Sequence, residues 1–87
     1  MLTEGEMYVL LKLGRNGRWM SGFALVHDLA DLVPQDAGEG HGDWIHRAAA
    51  SLQELGYVES KGKRREFNLR MYRITSEGQE KLSRSIH

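Results

Sequence analysis

The sequence predicts an α+β fold, mainly helical, on three observations. Apolar residues recur at helical spacing in three segments that each close on glycine or proline, two short aromatic-rich and branched stretches flank a basic turn, and a capped helix follows. Thr3-Glu4-Gly5-Glu6 has the form of a capping box, in which the threonine hydroxyl accepts from the backbone N–H three residues on and the glutamate reaches back. Met7, Leu10 and Leu11 share one helical face and Val9 and Leu13 widen it. Gly14 with Asn16-Gly17 supplies a stop, so a first helix is expected over about 4–13. Arg18-Trp19-Met20 suffices only for an edge strand or a connector. Ser21 offers an N-cap to a second helix over 22–33, where Leu25, Leu29, Leu32 and Val33 stack, and Pro34 ends it by pushing the residue before it out of the α region.

Residues 34–42 contain three glycines and no large apolar side chain, which predicts a loop. A third helix follows, with Ile45, Ala48, Ala49, Leu52 and Leu55 on one side and Gly56 as its terminator. Residues 57–60 and about 69–74 read as two strands of a hairpin with a basic tip. The second strand holds a conflict: Phe67, Leu69 and Met71 have one parity, Tyr72 and Ile74 the other, and a regular strand cannot turn both sets to one core. Either a bulge near Arg70 or Met71 switches the register, or Phe67, Leu69 and Met71 form an apolar patch for a protein partner. Thr75 or Ser76 caps a last helix, Ser76 with Gln79 being a further capping-box pair, and Leu82 and Ile86 point inward. This order of elements is that of a winged helix-turn-helix, a three-helix core with a β-hairpin wing and a C-terminal helix, as a single domain over residues 1–87.

Composition narrows the function. With 40% hydrophobic and 28% charged residues the chain is ordinary for a soluble domain, and no apolar run approaches the roughly 18 residues of a membrane span, so no membrane partner is expected. The absence of cysteine excludes disulfides and thiolate metal sites, and the N-terminus lacks a signal-peptide profile, which together predict a cytoplasmic protein. Net charge is zero but unevenly placed: residues 1–46 carry three basic and seven acidic side chains, residues 47–87 nine and five, or −4 against +4. His41 and His46 lie near Asp43 without a tight i, i+4 ligand pair, so no metal is expected; His27 is placed on the surface of the second helix. The glycine-rich segment 38–42 has no following Lys-Ser or Lys-Thr to cradle phosphate, and no serine, histidine and acid arrangement supports nucleophilic catalysis. Neither a cofactor nor enzymatic activity is expected. Trp19 and Trp44 read as aromatics at the core edge.

Leu52-Gln53-Glu54-Leu55-Gly56-Tyr57-Val58 and Tyr72-Arg73-Ile74-Thr75-Ser76-Glu77-Gly78-Gln79-Glu80-Lys81-Leu82 together resemble the PadR-like winged-helix transcriptional regulators, and more loosely the MarR group. Ser21-Gly22-Phe23 is similar to that family's entry into its second helix. The resemblance implies a DNA-binding transcriptional regulator, a repressor, working as a homodimer on double-stranded DNA.

In such a fold the third helix enters the major groove and the wing reaches the backbone or minor groove. The helix face turned away from Ile45, Ala49 and Leu52 carries Asp43, Arg47, Ala50 and Glu54, flanked by His46 and Ser51. Arg47 can grip a guanine edge, His46 and Ser51 can donate to bases or phosphates, and Ala50 can meet a thymine methyl, while Asp43 and Glu54 repel phosphate. Lys61, Lys63, Arg64 and Arg65 at the tip, with Arg70 behind them, are the expected phosphate contacts. If about four phosphates are neutralised, affinity falls with a log–log salt slope near −3.6. The alternative is a winged-helix protein-interaction module that docks through Phe67, Leu69 and Met71 without reading sequence.

Overall fold

Helix α1 (Glu4–Asn16) begins at the expected capping box: Glu6 N–H donates to Thr3 Oγ1 at 3.1 Å and Thr3 N–H to Glu6 Oε1 at 2.8 Å. It runs one turn further than the glycine at position 14 suggests. Gly14 is a close-approach point instead of a stop, because a Cβ there would sit 2.6 Å from Leu82 Cδ2, and the helix ends at Gly17, which is left-handed and donates to Leu13 O at 3.0 Å. Strand β1 (Met20–Ser21) leads into α2 (Gly22–Leu29), whose N-cap is Ser21 as expected, with Ala24 N–H donating to its hydroxyl at 3.0 Å. The coordinates are a computed structural model that describes residues 1–35 and 42–86; residues 36–41 of the expected loop, His41 among them, and the side chain of Ile86 lie outside the described residues.

Helix α2 ends a turn early, at Leu29. Continued to Pro34, it would set the proline ring against the carbonyl of Ala30 and lose the N–H that should bond there, and the chain leaves the helix at Ala30. Leu32 and Val33, expected in the apolar stack, are therefore 37% and 82% exposed, and only Leu25 and Leu29 of the four are buried. Helix α3 (Asp43–Glu54) buries Trp44, Ile45, Ala48, Ala49 and Leu52; Leu55, expected in that stripe, falls just past the helix and is 52% exposed. Trp44 is core, only 3% exposed, and meets Tyr8 of α1 edge-on with ring centroids 6.2 Å apart.

Strands β2 (Val58–Lys61) and β3 (Met71–Ile74) pair antiparallel, and β1 adds to the other edge of β3, giving the order β1-β3-β2. Val58 opposite Ile74 and Ser60 opposite Tyr72 face inward, while Glu59 opposite Arg73 faces out. The parity conflict is resolved by neither a bulge nor a patch. Phe67–Leu69 is a single 3-10 turn ahead of the strand, and it brings Phe67 round to the side of Tyr72, with ring centroids 4.9 Å apart. Phe67 thus packs against the core, Met71 is half-buried on the outer side of β3, and Leu69 is 56% exposed, so the three do not form one face.

Helix α4 (Ser76–Ile86) is capped by Thr75, not by Ser76: Gly78 N–H donates to Thr75 Oγ1 at 3.0 Å, and that hydroxyl donates to Gly56 O at 2.7 Å. Leu82 is buried, as expected. The described residues therefore form an α+β fold, mainly helical, with four helices and a small three-stranded antiparallel sheet around a core drawn from every helix and strand. No helix among them is long and apolar enough to cross a membrane.

Candidate functional site

The exposed side chains of α3 and the β2–β3 hairpin flank one another because α3 runs directly into β2. Gly56 reverses the chain, Tyr57 N–H closes on Leu52 O at 2.9 Å, and Ser60 on β2 reaches back to α3 by donating to Gln53 Oε1 at 3.2 Å. Along α3, Asp43, His46, Arg47 and Ala50 are exposed, as the helical geometry predicts. Asp43 lies in the first turn, where its charge favours the helix N-terminus.

Two expected members of this face are engaged elsewhere. Ser51 is half-buried and turned to α1, where its hydroxyl donates to Glu6 Oε2. Glu6, 9% exposed, thereby accepts from the α1 cap through one oxygen and from α3 through the other, which satisfies a carboxylate withdrawn from water. A lone glutamate in a capping box gives no hint of a partner 45 positions away. His46 stays exposed, but its ring stacks on Phe67 with centroids 4.2 Å apart and planes at 24°, so it links α3 to the 3-10 turn.

At the hairpin tip Lys61, Lys63, Arg64 and Arg65 are all exposed. The ammonium of Lys61 lies 4.3 Å from the centroid of the Trp19 ring, and the Arg73 guanidinium lies 4.4 Å from the same centroid. Arg73 also pairs across the strands with Glu59 at 2.7 Å. Trp19 is half-buried at the sheet edge and serves as a cation seat, a role that only the three-dimensional neighbourhood discloses.

Arg70 is the larger departure from expectation. It is half-buried, and its guanidinium turns into the hairpin: Nη1 donates to Gly62 O at 2.9 Å and to Arg64 O at 3.0 Å, and Nη2 to Ser60 Oγ at 3.0 Å. A fork with those commitments has less to offer a phosphate. The same cation lies beside the Tyr72 hydroxyl; burial raises that phenol above its ordinary range, and Arg70 partly offsets the rise.

Elsewhere, His27 is on the surface of α2 with its Nδ1 3.3 Å from Asp28 Oδ1, and Lys12 Nζ is 3.1 Å from Asp28 Oδ2. The hydrogen bonds from Lys12 and then His27 hold the Asp28 carboxyl below its usual range. A concavity of about 270 Å³ between α1 and the end of α2 is lined by Leu11, Leu29 and Leu32, with Lys12 and Arg15 at its rim. Among the described residues no group of three histidine, cysteine or acidic side chains could hold a metal ion. No protein-family model, no curated protein and no solved structure matches this chain.

Proposed function

We propose that the chain is a winged helix-turn-helix regulator that binds double-stranded DNA, with the exposed side of α3 toward the major groove and the β2–β3 hairpin, as its wing, on the phosphate backbone. The observation that carries this reading is the hairpin tip. Lys63, Arg64 and Arg65 stand exposed in succession beside a helix whose own outer side presents Arg47 and Ala50, in a chain with no net charge. Cations so concentrated neutralise phosphates and release counterions. Arg47 is the side chain suited to a guanine edge. The acidic Asp43 and Glu54 at the two ends of α3 limit how closely that helix follows the backbone, which gives the wing the larger share of affinity. Repression by a homodimer on a pseudo-palindromic site is the form of regulation we favour, on the resemblance of residues 52–58 and 72–82 to PadR-like regulators.

Fluorescence anisotropy with a labelled duplex tests this directly. Changing Lys63, Arg64 and Arg65 together to alanine should abolish most of the affinity at moderate salt, and an unaltered affinity removes the wing from the mechanism. Arg47→Ala should relax preference at one or two base positions; uniform weakening over all sequences reassigns Arg47 to the phosphates.

Leu69 and Phe23 sustain a second reading, a protein-docking module. They are 56% and 64% exposed and flank the bonded pair in which Gly22 N–H donates to Arg70 O at 2.9 Å. A partner lost on Leu69→Ser with the fold and the DNA affinity intact would favour it.

A further inference from the structure

Arg70 holds a place that no other tip cation holds. Through its side chain it ties two carbonyls of the hairpin loop, Gly62 O at 2.9 Å and Arg64 O at 3.0 Å, to the Ser60 hydroxyl of β2 at 3.0 Å. Ser60 in turn donates to Gln53 of α3 at 3.2 Å, and the Arg70 carbonyl accepts from Gly22 of α2 at 2.9 Å. One residue therefore connects the loop, through Ser60, to α3 and, through its own carbonyl, to the start of α2. The loop so held is otherwise poorly provided for: residues 62–66 are neither helix nor strand and are exposed, and Lys61, Lys63, Arg64 and Arg65 repel one another. A further cation at the centre of that cluster is electrostatically unfavourable. It is stabilised by the oxygens turned toward it, which the guanidinium meets from two separate nitrogens held in one plane, Nη1 on the loop carbonyls and Nη2 on Ser60; an ammonium has its three donors on a single nitrogen and cannot reproduce that spacing.

We propose that Arg70 is a positioning residue for the wing: its guanidinium shapes the loop from within, so that Lys63, Arg64 and Arg65 are presented as one set to a polyanion. The DNA clause of this proposal rests on the function proposed above; the clamp itself does not. Pre-organising the loop removes the cost of ordering it on binding, so the contribution of Arg70 to affinity passes through the other three side chains.

Two readouts on the whole chain test this with Arg70→Lys and Arg70→Ala, the second readout adding the Lys63, Arg64 and Arg65 triple alanine variant. Urea midpoints first establish that each variant is folded. In the first readout, limited trypsin digestion reports cleavage after Lys63, Arg64 and Arg65 in the wild type and the Arg70 variants. The clamp predicts cleavage severalfold faster in both Arg70 variants; wild-type rates in both overturn it. In the second, affinity for a labelled duplex is measured across salt concentrations. A single phosphate contact carries a slope of about 0.9, and three carry about 2.7. The proposal predicts that Arg70→Lys, which conserves charge, lowers the slope by clearly more than one contact, and that adding it to the triple variant lowers it no further. A wild-type slope in Arg70→Lys, with a loss near 0.9 in Arg70→Ala, makes Arg70 an ordinary phosphate contact and overturns the proposal. Faster cleavage in Arg70→Lys, combined with a triple variant that binds DNA like the wild type, instead overturns the DNA reading and upholds the clamp.

Discussion

Replacing Gly22 with alanine tests how the 3-10 turn is seated against the start of α2. A Cβ on Gly22 would lie 2.0 Å from Phe67 O and 2.7 Å from both Phe67 C and Cδ2, where ordinary contact begins at about 3.4 Å. The encroachment on the oxygen is thus about 1.4 Å, and the atom in the way is backbone, which cannot rotate aside. Relief requires the turn to withdraw, and withdrawal strains the Gly22 N–H to Arg70 O bond of 2.9 Å and the stacking of Phe67 between His46 and Tyr72. Overpacking of this kind costs about 1–3 kcal/mol, and the lost hydrogen bond lies within that range at about 1 kcal/mol. Alanine recovers a few tenths of a kcal/mol of helix propensity at the first helical position, too little to change the sign. Urea denaturation should therefore show a destabilisation of about 1–3 kcal/mol, and thermal melting a fall of roughly 4–8 °C per kcal/mol. A Gly22→Ala protein as stable as the wild type would mean that the turn does not rest on α2 as described.

Three further predictions follow from particular contacts. Glu6→Ala and Ser51→Ala should each destabilise the fold, and their double-mutant cycle should give a coupling of about 0.5–3 kcal/mol, because both remove the same bond between α1 and α3; independent effects would deny that bond. Leu52→Ala should cost about 2–5 kcal/mol, whereas Leu69→Ser should stay within about 0.5 kcal/mol, since Leu52 is fully buried and Leu69 is 56% exposed; similar urea midpoints for the two variants would contradict this placement. Asp28 has a lowered carboxyl pKa in the fold, so its contribution is complete above the unfolded value near 3.9 and is lost as pH falls through the folded one. Comparing wild type with Asp28→Asn over pH 2–5 should show the difference between them shrinking as pH falls; a difference that grows on acidification reverses the assignment.

What could be read from the chain alone was mostly local. The Thr3 and Ser21 caps depend on atoms within three residues of each other, and both were legible from residue type and spacing. The buried stripe of α3 followed from periodicity up to Leu52, whereas in α1 the face turned inward is Val9, Leu10 and Leu13, and Met7 and Leu11 of the expected face are only partly buried. Leu32, Val33 and Leu55 show a further limit: period alone cannot say where a helix stops, and an apolar residue beyond its end falls outside the stripe. The broken alternation at Phe67 to Ile74 was a true signal with the wrong remedy, because a 3-10 turn re-aims a side chain as well as a bulge does. At the candidate site, residue type placed Lys63, Arg64 and Arg65 on an exposed tip. It could not separate Arg70 from them, since a guanidinium serves equally as a phosphate ligand or as a hydrogen-bonding hub, and the choice is made by carbonyls six and eight residues away. Ser51 was misplaced for the same reason, its partner being supplied by another helix.

The measurement closest to the central claim is the salt dependence of wild-type binding to a duplex. With Lys61 seated over Trp19, the tip offers three successive exposed cations, Lys63, Arg64 and Arg65, and the wing should contribute about −2.7 to the log–log slope, approaching about −3.6 where Lys61 joins them. Binding that weakens with salt at a slope of that size, and that loses it in the triple alanine variant, is the predicted result. Binding indifferent to salt, or no binding to any duplex at low salt, would contradict the assignment of this chain to DNA.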